Sequence, residues 1–416
     1  MRIAYIVNQF PPNITAGLGR YAELITPYLA REHRLAVFTL NDGRQPVEER
    51  LPGITVHRPL GRLLGAIGRR RRLNRTKGVE FLLLALTVVA SNWRYFLRLR
   101  RSARPDLVAV HDSTNFLAAL LCHYALRLPV VLHVHTTEYG VAEQRSIPDP
   151  LGMFAALERW LARISRRVVV ATPEVRDQLV AAGWTRTPID VVPLGGTFEH
   201  VLADPGFDRA ELDVAAAGLR ARLGIAADEP ALLFVGRIER QKGVYQLLDA
   251  LPEIAAGLPG VRLVLVGEGD VAGVERIAAA SGQTGRVLAP GRFVAGRELL
   301  EFYAMADACV FPSLFEPFGL VATEAMALDR PVVLGDGFSR IFLGDPAEPA
   351  SRFVRAGDPG DIARGVLEVM TDPGLSAELA ERGRRLVSEG LSWERAARET
   401  AACYEAALGR LTRTSS

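Results

Sequence analysis

The sequence predicts an α/β protein made of two Rossmann-like, doubly wound units. Three observations carry that expectation. Short apolar, β-branched runs alternate with helical patterns through most of the 416 residues. Each run is nearly continuous in apolar character, as parallel strands covered on both faces should be. The alternation fades near residue 200 and then restarts, and a chain this long exceeds one ordinary hydrophobic core.

In chain order, "RIAYIV", "RLAVFTL", "DLVAVH", "PVVLHVH", "RVVVAT" and "IDVVPL" read as strands of the first unit. Helical patterns such as "GRYAELITPYLARE" and "PEVRDQLVAAG" separate them. After about Leu194 the text "TFEHVLADPGFDRAELDVAAAGLRARLG" is turn-rich and then amphipathic. Strands resume with "ALLFVG", "VRLVLVG", "GRVLAP", "ACVFPS" and "PVVLG". The expected units are therefore residues 1–200 and 201–391. A last helical pattern at about 392–412 has no strand after it and is free to pack back on the first unit. No repeat of solenoid length is present.

Composition narrows the function classes. Apolar residues make up 49% and charged residues 23%, and the formal net charge is only +3. That is globular, and it does not favour a nucleic-acid partner. Cys122, Cys309 and Cys403 are scattered in apolar patterns and make neither a disulfide framework nor a zinc spacing. Buried free thiols and a cytoplasmic setting are expected. "MRIAYIVNQF" suits a first buried strand better than a secretory signal. "FLLLALTVVA" is about half the length of a membrane span.

One stretch is unusual. Between Gly61 and Pro105 there are twelve Lys or Arg and a single acid, Glu80. A solvated helix between loops accounts for it. So does a basic amphipathic element on an anionic membrane, with Trp93, Tyr95 and Phe96 near the interface. A patch for an anionic acceptor or nucleic acid is a third reading.

Four segments carry chemistry-bearing residues. In "NQFPPNITAGLGRYAEL", Gly17 and Gly19 open a helix, where amide groups and the helix dipole suit a phosphate. "GLGRYA" also fits a dinucleotide fingerprint, but about nine residues separate it from the strand. A nicotinamide site is accordingly discounted, and a ligand-free glycine turn stays open.

Further on, His111 and Asp112 follow one strand, and His135 and Glu138 follow another. Ligands of open parallel sheets collect at those ends. His133 lies deeper and reads as a core histidine, while His135 is placed to donate a hydrogen bond to substrate. In "FVGRIERQKGV", Gly236, Arg237 and Lys242 surround a strand-to-helix loop, which suits a diphosphate but also an ordinary charged loop.

In "LFEPFGLVATEAMA", Glu316 precedes a helix start and Glu324 lies inside it. The amides near Phe318, Gly319 and Leu320 fall between them. That order suits a sugar hydroxyl, a diphosphate and a ribose diol in series. Glu324 sits among core-like neighbours, so it should have a partner.

Taken together, "TAGLGRY", "HVHTTE", "GRIERQKG", "LVGEGD" and the glutamates at Glu316 and Glu324 resemble family 4 of the retaining, GT-B-fold glycosyltransferases. The resemblance covers most of the chain. It implies two Rossmann-like domains facing across a cleft, the first for acceptor and the second for a nucleotide-sugar. It assigns the ribose hydroxyls to Glu324 and the transferred sugar to Glu316. It assigns the diphosphate charge to Arg237 and Lys242, with Gly17 and Gly19 at the phosphates and His135 near the reacting carbon. Three segments depart from the family pattern: "PLGGTF" near residue 193, "GFSRIFLGD" after "PVVLGD", and the long basic insertion in the first unit.

The resemblance implies transfer of a hexosyl unit with retention, from a UDP-sugar by family frequency. No D-x-D occurs in the sequence, so neither metal nor cofactor is expected. His111, Asp112 and Glu138 are acceptor-side candidates. The acceptor itself, whether a lipid-linked sugar, an oligosaccharide or a small natural product, is not legible. A sugar-nucleotide epimerase or hydrolase, and a non-catalytic sugar-nucleotide-binding subunit, are the alternatives.

Overall fold

The computed structural model describes residues 1–14, 17–41, 43–59, 77–101, 104–137 and 153–409, without the side chains of 77–85 and 153–154. Cα proximity divides the chain into two units. One is Met1–Leu194 with Trp393–Ser416, and the other is Gly195–Ser392.

In the first unit, β1 (Arg2–Ile6), β2 (Arg34–Phe38), β3 (Glu48–Leu51), β4 (Ile54–His57), β5 (Leu107–His111), β6 (Val130–Val134), β7 (Arg167–Val170) and β8 (Ile189–Val191) form one sheet. Its order is β3-β4-β2-β1-β5-β6-β7-β8. Every pairing is parallel except the β3–β4 edge hairpin. β5 and β6 are buried along their whole length, which explains their unbroken apolar text. β3 is the polar "EERL", held at the edge where charged side chains stay in water.

The helix Gly17–Glu32 follows β1 and buries Tyr21, Leu24, Ile25 and Leu29. The last helix, Trp393–Ala407, belongs to this same unit. Its Trp393 is 1% exposed, and the indole lies 5.8 Å from the Tyr21 ring.

In the second unit, β9 (Ala231–Val235), β10 (Arg262–Val266), β11 (Val287–Leu288), β12 (Ala308–Phe311), β13 (Val332–Gly335) and β16 (Arg352–Val354) form a parallel sheet. Its order is β11-β10-β9-β12-β13-β16. A small hairpin of β14 (Gly344–Asp345) and β15 (Glu348–Pro349) lies outside it. Helix starts are written locally. Thr172, Asp358 and Asp372 each accept a backbone N–H of the turn that follows, and each is succeeded by a proline at the first helical position.

Both sheets reverse their winding direction once. The reversal lies between β1 and β5 in the first and between β9 and β12 in the second. Loops leaving the carboxyl ends of those strands diverge and leave room for a ligand. The three cysteines are buried free thiols. Among the described residues, no helix is long and apolar enough to cross a membrane.

Trp393→Ala removes one of the largest fully buried side chains of the first unit. It is expected to destabilise that unit by about 3–5 kcal/mol, read as a lower urea midpoint by circular dichroism. An unchanged midpoint would show that the last helix is not part of that core.

Candidate functional site

The reversal point of the second sheet gathers the loops after β9 and β12. The first runs from Gly236 through a short turn, Arg240–Lys242, to Gly243. Gly243 has φ 70°, and a Cβ there would lie 1.8 Å from the Pro312 carbonyl oxygen. Only glycine lets the two loops approach this closely. They are then stitched together. Leu314 N–H donates to Gln241 O at 2.9 Å, and the Gln241 side-chain amide donates to Phe315 O at 3.2 Å.

On this scaffold Lys242 Nζ donates to Glu316 Oε2 at 2.6 Å, with the side chains 18% and 13% exposed. An opposite-charge pair so far from water is a strong, directional contact. Glu316 is fixed again by its own N–H, which donates to Gly337 O at 3.0 Å. Three residues on, Gly319 caps the helix Leu320–Ala327 in a left-handed conformation, φ 98°. A Cβ there would meet the Phe338 ring at 2.2 Å. Phe338 comes from "GFSRIFLGD", so the loop that departs from the family pattern supplies the wall of this helix start.

Glu324, on the second turn of that helix, is buried. Tyr303 Oη donates to its Oε2 at 2.6 Å. Burial and the neighbouring Glu324 charge push the Tyr303 hydroxyl well above its ordinary value, so it remains the donor. The sequence demanded a partner for Glu324 but could not say which residue, because Tyr303 lies on a different helix, Gly296–Met305.

Arg237 is exposed, and its guanidinium lies 2.8 Å from a Glu239 carboxylate oxygen. Gly236 has φ 154°, and the glycines of "LVGEGD" explain why its loop lies flat on the neighbouring one. A Cβ on Gly267 would meet Gly236 O at 1.9 Å, and one on Gly269 would meet Ile238 O at 2.3 Å. Ile238 N–H donates to Glu268 O at 2.8 Å across that approach.

In the first unit, Gly17 is exposed, with no described residue within 4 Å of where a Cβ would stand, whereas Gly19 is buried against Gln9 and Ile14. Asp112 follows β5 with φ 62°, a strained backbone for a non-glycine residue. His111 was expected on the acceptor side, but it is fully buried. It lies instead edge to edge with His135, Nδ1 to Nε2 at 2.9 Å. His133 stacks on His111 at 4.3 Å between ring centroids, and its Nε2 is 2.9 Å from Tyr404 Oη. Burial, together with the neighbouring imidazoles, holds His111 and His133 well below the ordinary histidine value. Burial brings His135 down to about 4. All three are neutral near pH 7. Glu138 lies outside the described residues, as does much of the basic stretch between residues 61 and 105.

Among the described residues, His111, His133 and His135 form a group close enough to hold a metal ion. Their rings do not suit one. Tetrahedral ligation at ordinary Zn–N distances sets nitrogens about 3.3 Å apart with lone pairs converging on the ion. Here the His111 and His135 rings are nearly coplanar, with centroids 5.2 Å apart and tilted by 21°, and their nitrogens point at each other. The contact has the geometry of an imidazole–imidazole hydrogen bond.

Comparison with known proteins extends over the whole chain. Residues 16–195 match the family described as glycosyl transferase 4-like domain, and residues 217–386 match glycosyl transferases group 1. The D-inositol 3-phosphate glycosyltransferase of Nocardia farcinica is 31% identical over 336 residues, 74% of this chain and 69% of that protein. The glycogen synthase of Mycobacterium tuberculosis is 29% identical over 428 residues, 98% of this chain and 95% of that protein. Among solved structures, sucrose-phosphate synthase from Thermosynechococcus elongatus matches with TM-score 0.77 at 22% identity, covering 99% of this chain and 100% of that one. HepE from Anabaena, in complex with UDP, matches with TM-score 0.68 at 17% identity, covering 98% of this chain and 100% of that one.

The neutral histidine cluster makes a pH prediction. A histidine whose folded pKa is depressed is protonated first in the unfolded chain, so its contribution is intact above the ordinary value of 6.5 and is lost as pH falls toward about 4 for His135. Each such histidine costs roughly 1.4 kcal/mol per pH unit inside that window. Denaturant midpoints measured from pH 7 to pH 5 should fall steeply, and His133→Gln should flatten the slope. A flat profile in the native protein would contradict a neutral, buried cluster.

Proposed function

The chain belongs to the glycosyl transferases group 1, and from that premise we propose that it moves a hexosyl unit from a UDP-sugar to an acceptor hydroxyl, with retention and without a metal ion. Use of a nucleotide-sugar follows from the family itself. The observation that carries the finer reading is the Lys242–Glu316 pair beside the helix start at Gly319.

In this reading the bond from the anomeric carbon to the leaving diphosphate breaks, and a bond to the acceptor oxygen forms on the same face. The acceptor proton passes to a leaving phosphate oxygen. Charge grows on that diphosphate, and fixed positive groups aimed at it lower the barrier. Lys242 and Arg237 supply whole charges. The amides of Phe318, Gly319 and Leu320 supply the helix-terminus dipole. Glu316, turned toward Lys242, accepts from a hydroxyl of the transferred sugar, and Glu324 accepts from the ribose diol. Gly236 lets backbone approach the phosphates. In the first unit, Gly17 and Gly19 take the same role toward phosphate, and His135 donates to the sugar near its reacting carbon. Asp112 stands on the acceptor side. The UDP ligand of HepE supports uracil as the base.

The partner of the basic stretch is proposed to be an anionic membrane surface. On the helix Lys77–Arg101, Leu86, Val89 and Trp93 are 56%, 44% and 46% exposed. They fall on one helical stripe that continues to the exposed Arg100, with Arg94 and Arg101 beside it. An apolar stripe bordered by arginines suits an interface with anionic lipid. Trp93→Glu should abolish co-sedimentation with phosphatidylglycerol vesicles, and equal sedimentation of both proteins would remove this partner.

A thermal-shift series with UDP-, GDP-, ADP- and dTDP-sugars tests the donor, because specific binding raises Tm by mass action. UDP-sugars should give the largest rise; no rise with any of them would overturn the assignment. Lys242→Ala and Glu316→Ala should each lower turnover on the order of 10²-fold or more, and excess EDTA should leave native turnover intact. Native turnover in either variant would contradict the roles of Lys242 and Glu316, and loss in EDTA restored by Mn²⁺ would contradict metal-free transfer.

A further inference from the structure

We propose that His111 is a positioning residue that fixes the tautomer of His135, so that the proton of His135 stands on Nδ1, the nitrogen left to donate to substrate. What His135 touches rests on the glycosyl-transfer reading of the site; how it is held rests on the geometry of the first unit alone.

The contact between His111 Nδ1 and His135 Nε2, at 2.9 Å, holds one proton. Two arrangements are possible. If that proton belongs to His135, then His111 must carry its own on Nε2. The His111 Nε2 atom is buried and has no hydrogen-bond partner among the described residues. An N–H left there would be an orphaned buried donor, which folded proteins avoid more strictly than an unfilled acceptor. In the other arrangement His111 Nδ1–H donates, its Nε2 keeps only a lone pair, and His135 Nε2 accepts. A neutral His135 that accepts at Nε2 carries its proton at Nδ1. The second arrangement leaves the cheaper orphan and gives His135 a single donor.

The support for His111 is equally specific. Its ring lies 4.1 Å from the Tyr5 ring, centroid to centroid. His133 stacks on it, and His133 is tied in turn to Tyr404 on the last helix. Tyr21 lies edge-on to His135 at 4.5 Å. His111 therefore has little freedom to rotate away, and His135 inherits its ring plane. Among the described residues, the rings packed against the pair are tyrosines and a histidine, none of them charged near neutral pH: Tyr5 and Tyr404 are held well above the ordinary range, and Tyr21 is also raised, all mainly by burial. Hydrogen bonding therefore sets the proton's position among these groups.

The direct test is imidazole nitrogen NMR of the histidine-labelled protein without donor. The native protein should show His135 as a single Nδ1–H tautomer. An Nε2–H tautomer, or an equal mixture, would overturn the proposal whatever His135 does in catalysis. His111→Phe keeps the ring and loses the N–H; His135 should then shift toward Nε2–H, with kcat falling on the order of tenfold or more and donor KM nearly unchanged. His111→Asn, whose amide N–H can reach the same acceptor, should restore most of kcat. Loss of kcat in both variants with the tautomer unchanged would reduce His111 to a packing residue and overturn the proposal. A native Nδ1–H tautomer together with full activity in His135→Ala would instead leave the positioning intact and refute the role of His135 in the reaction.

Discussion

The second unit depends on one ion pair held by two stitched loops. Lys242 and Glu316 sit 2.6 Å apart at the point where the sheet reverses direction, and each is mostly removed from water. Removing either partner would strand the other charge in a poorly solvated place, which costs far more than the pair is worth as a net stabiliser. Its value is positional. The backbone bonds between Gln241, Leu314 and Phe315 fix the separation of the two loops. A cation and a carboxylate on such a frame need no reorganisation to meet a ligand, and that is the condition for strong electrostatic stabilisation.

Close backbone approach is the second constraint. A methyl group on Gly243, Gly267, Gly319 or Gly337 would fall within 2.3 Å of a neighbouring loop atom. These glycines are steric requirements of loops pressed against one another, and only secondarily sources of flexibility. Gly17 is the contrast. Among the described residues, nothing stands where its Cβ would be.

Much of this was legible in the amino-acid order because parallel strands buried on both faces must be apolar along their length. Eleven runs read as strands, from "RIAYIV" to "PVVLG", are all strands in the structure. β3 was missed because "EERL" at the sheet edge carries water-facing charge, β4 because "ITVH" is only four residues long, and β16 because three residues leave no pattern. Glu316, Glu324, Lys242 and His135 were singled out by residue type in loops, at a strand end or inside a short helix. Their partners did not. Tyr303 meets Glu324 from another helix, and Tyr404 meets His133 from 271 residues away. No local pattern records such contacts. His111 misled for a related reason: the sequence placed it at a strand end, and only packing shows that it points inward to His135.

The most direct measurement is a crystal structure of this chain with a UDP-hexose. The diphosphate should lie within hydrogen-bond reach, about 2.7–3.2 Å, of Lys242 Nζ and the amides at Gly319 and Leu320. A hexose hydroxyl should rest on Glu316 and the ribose diol on Glu324. A nucleotide bound elsewhere, or Glu316 and Glu324 both turned to solvent in the complex, would contradict a site organised around the Lys242–Glu316 pair.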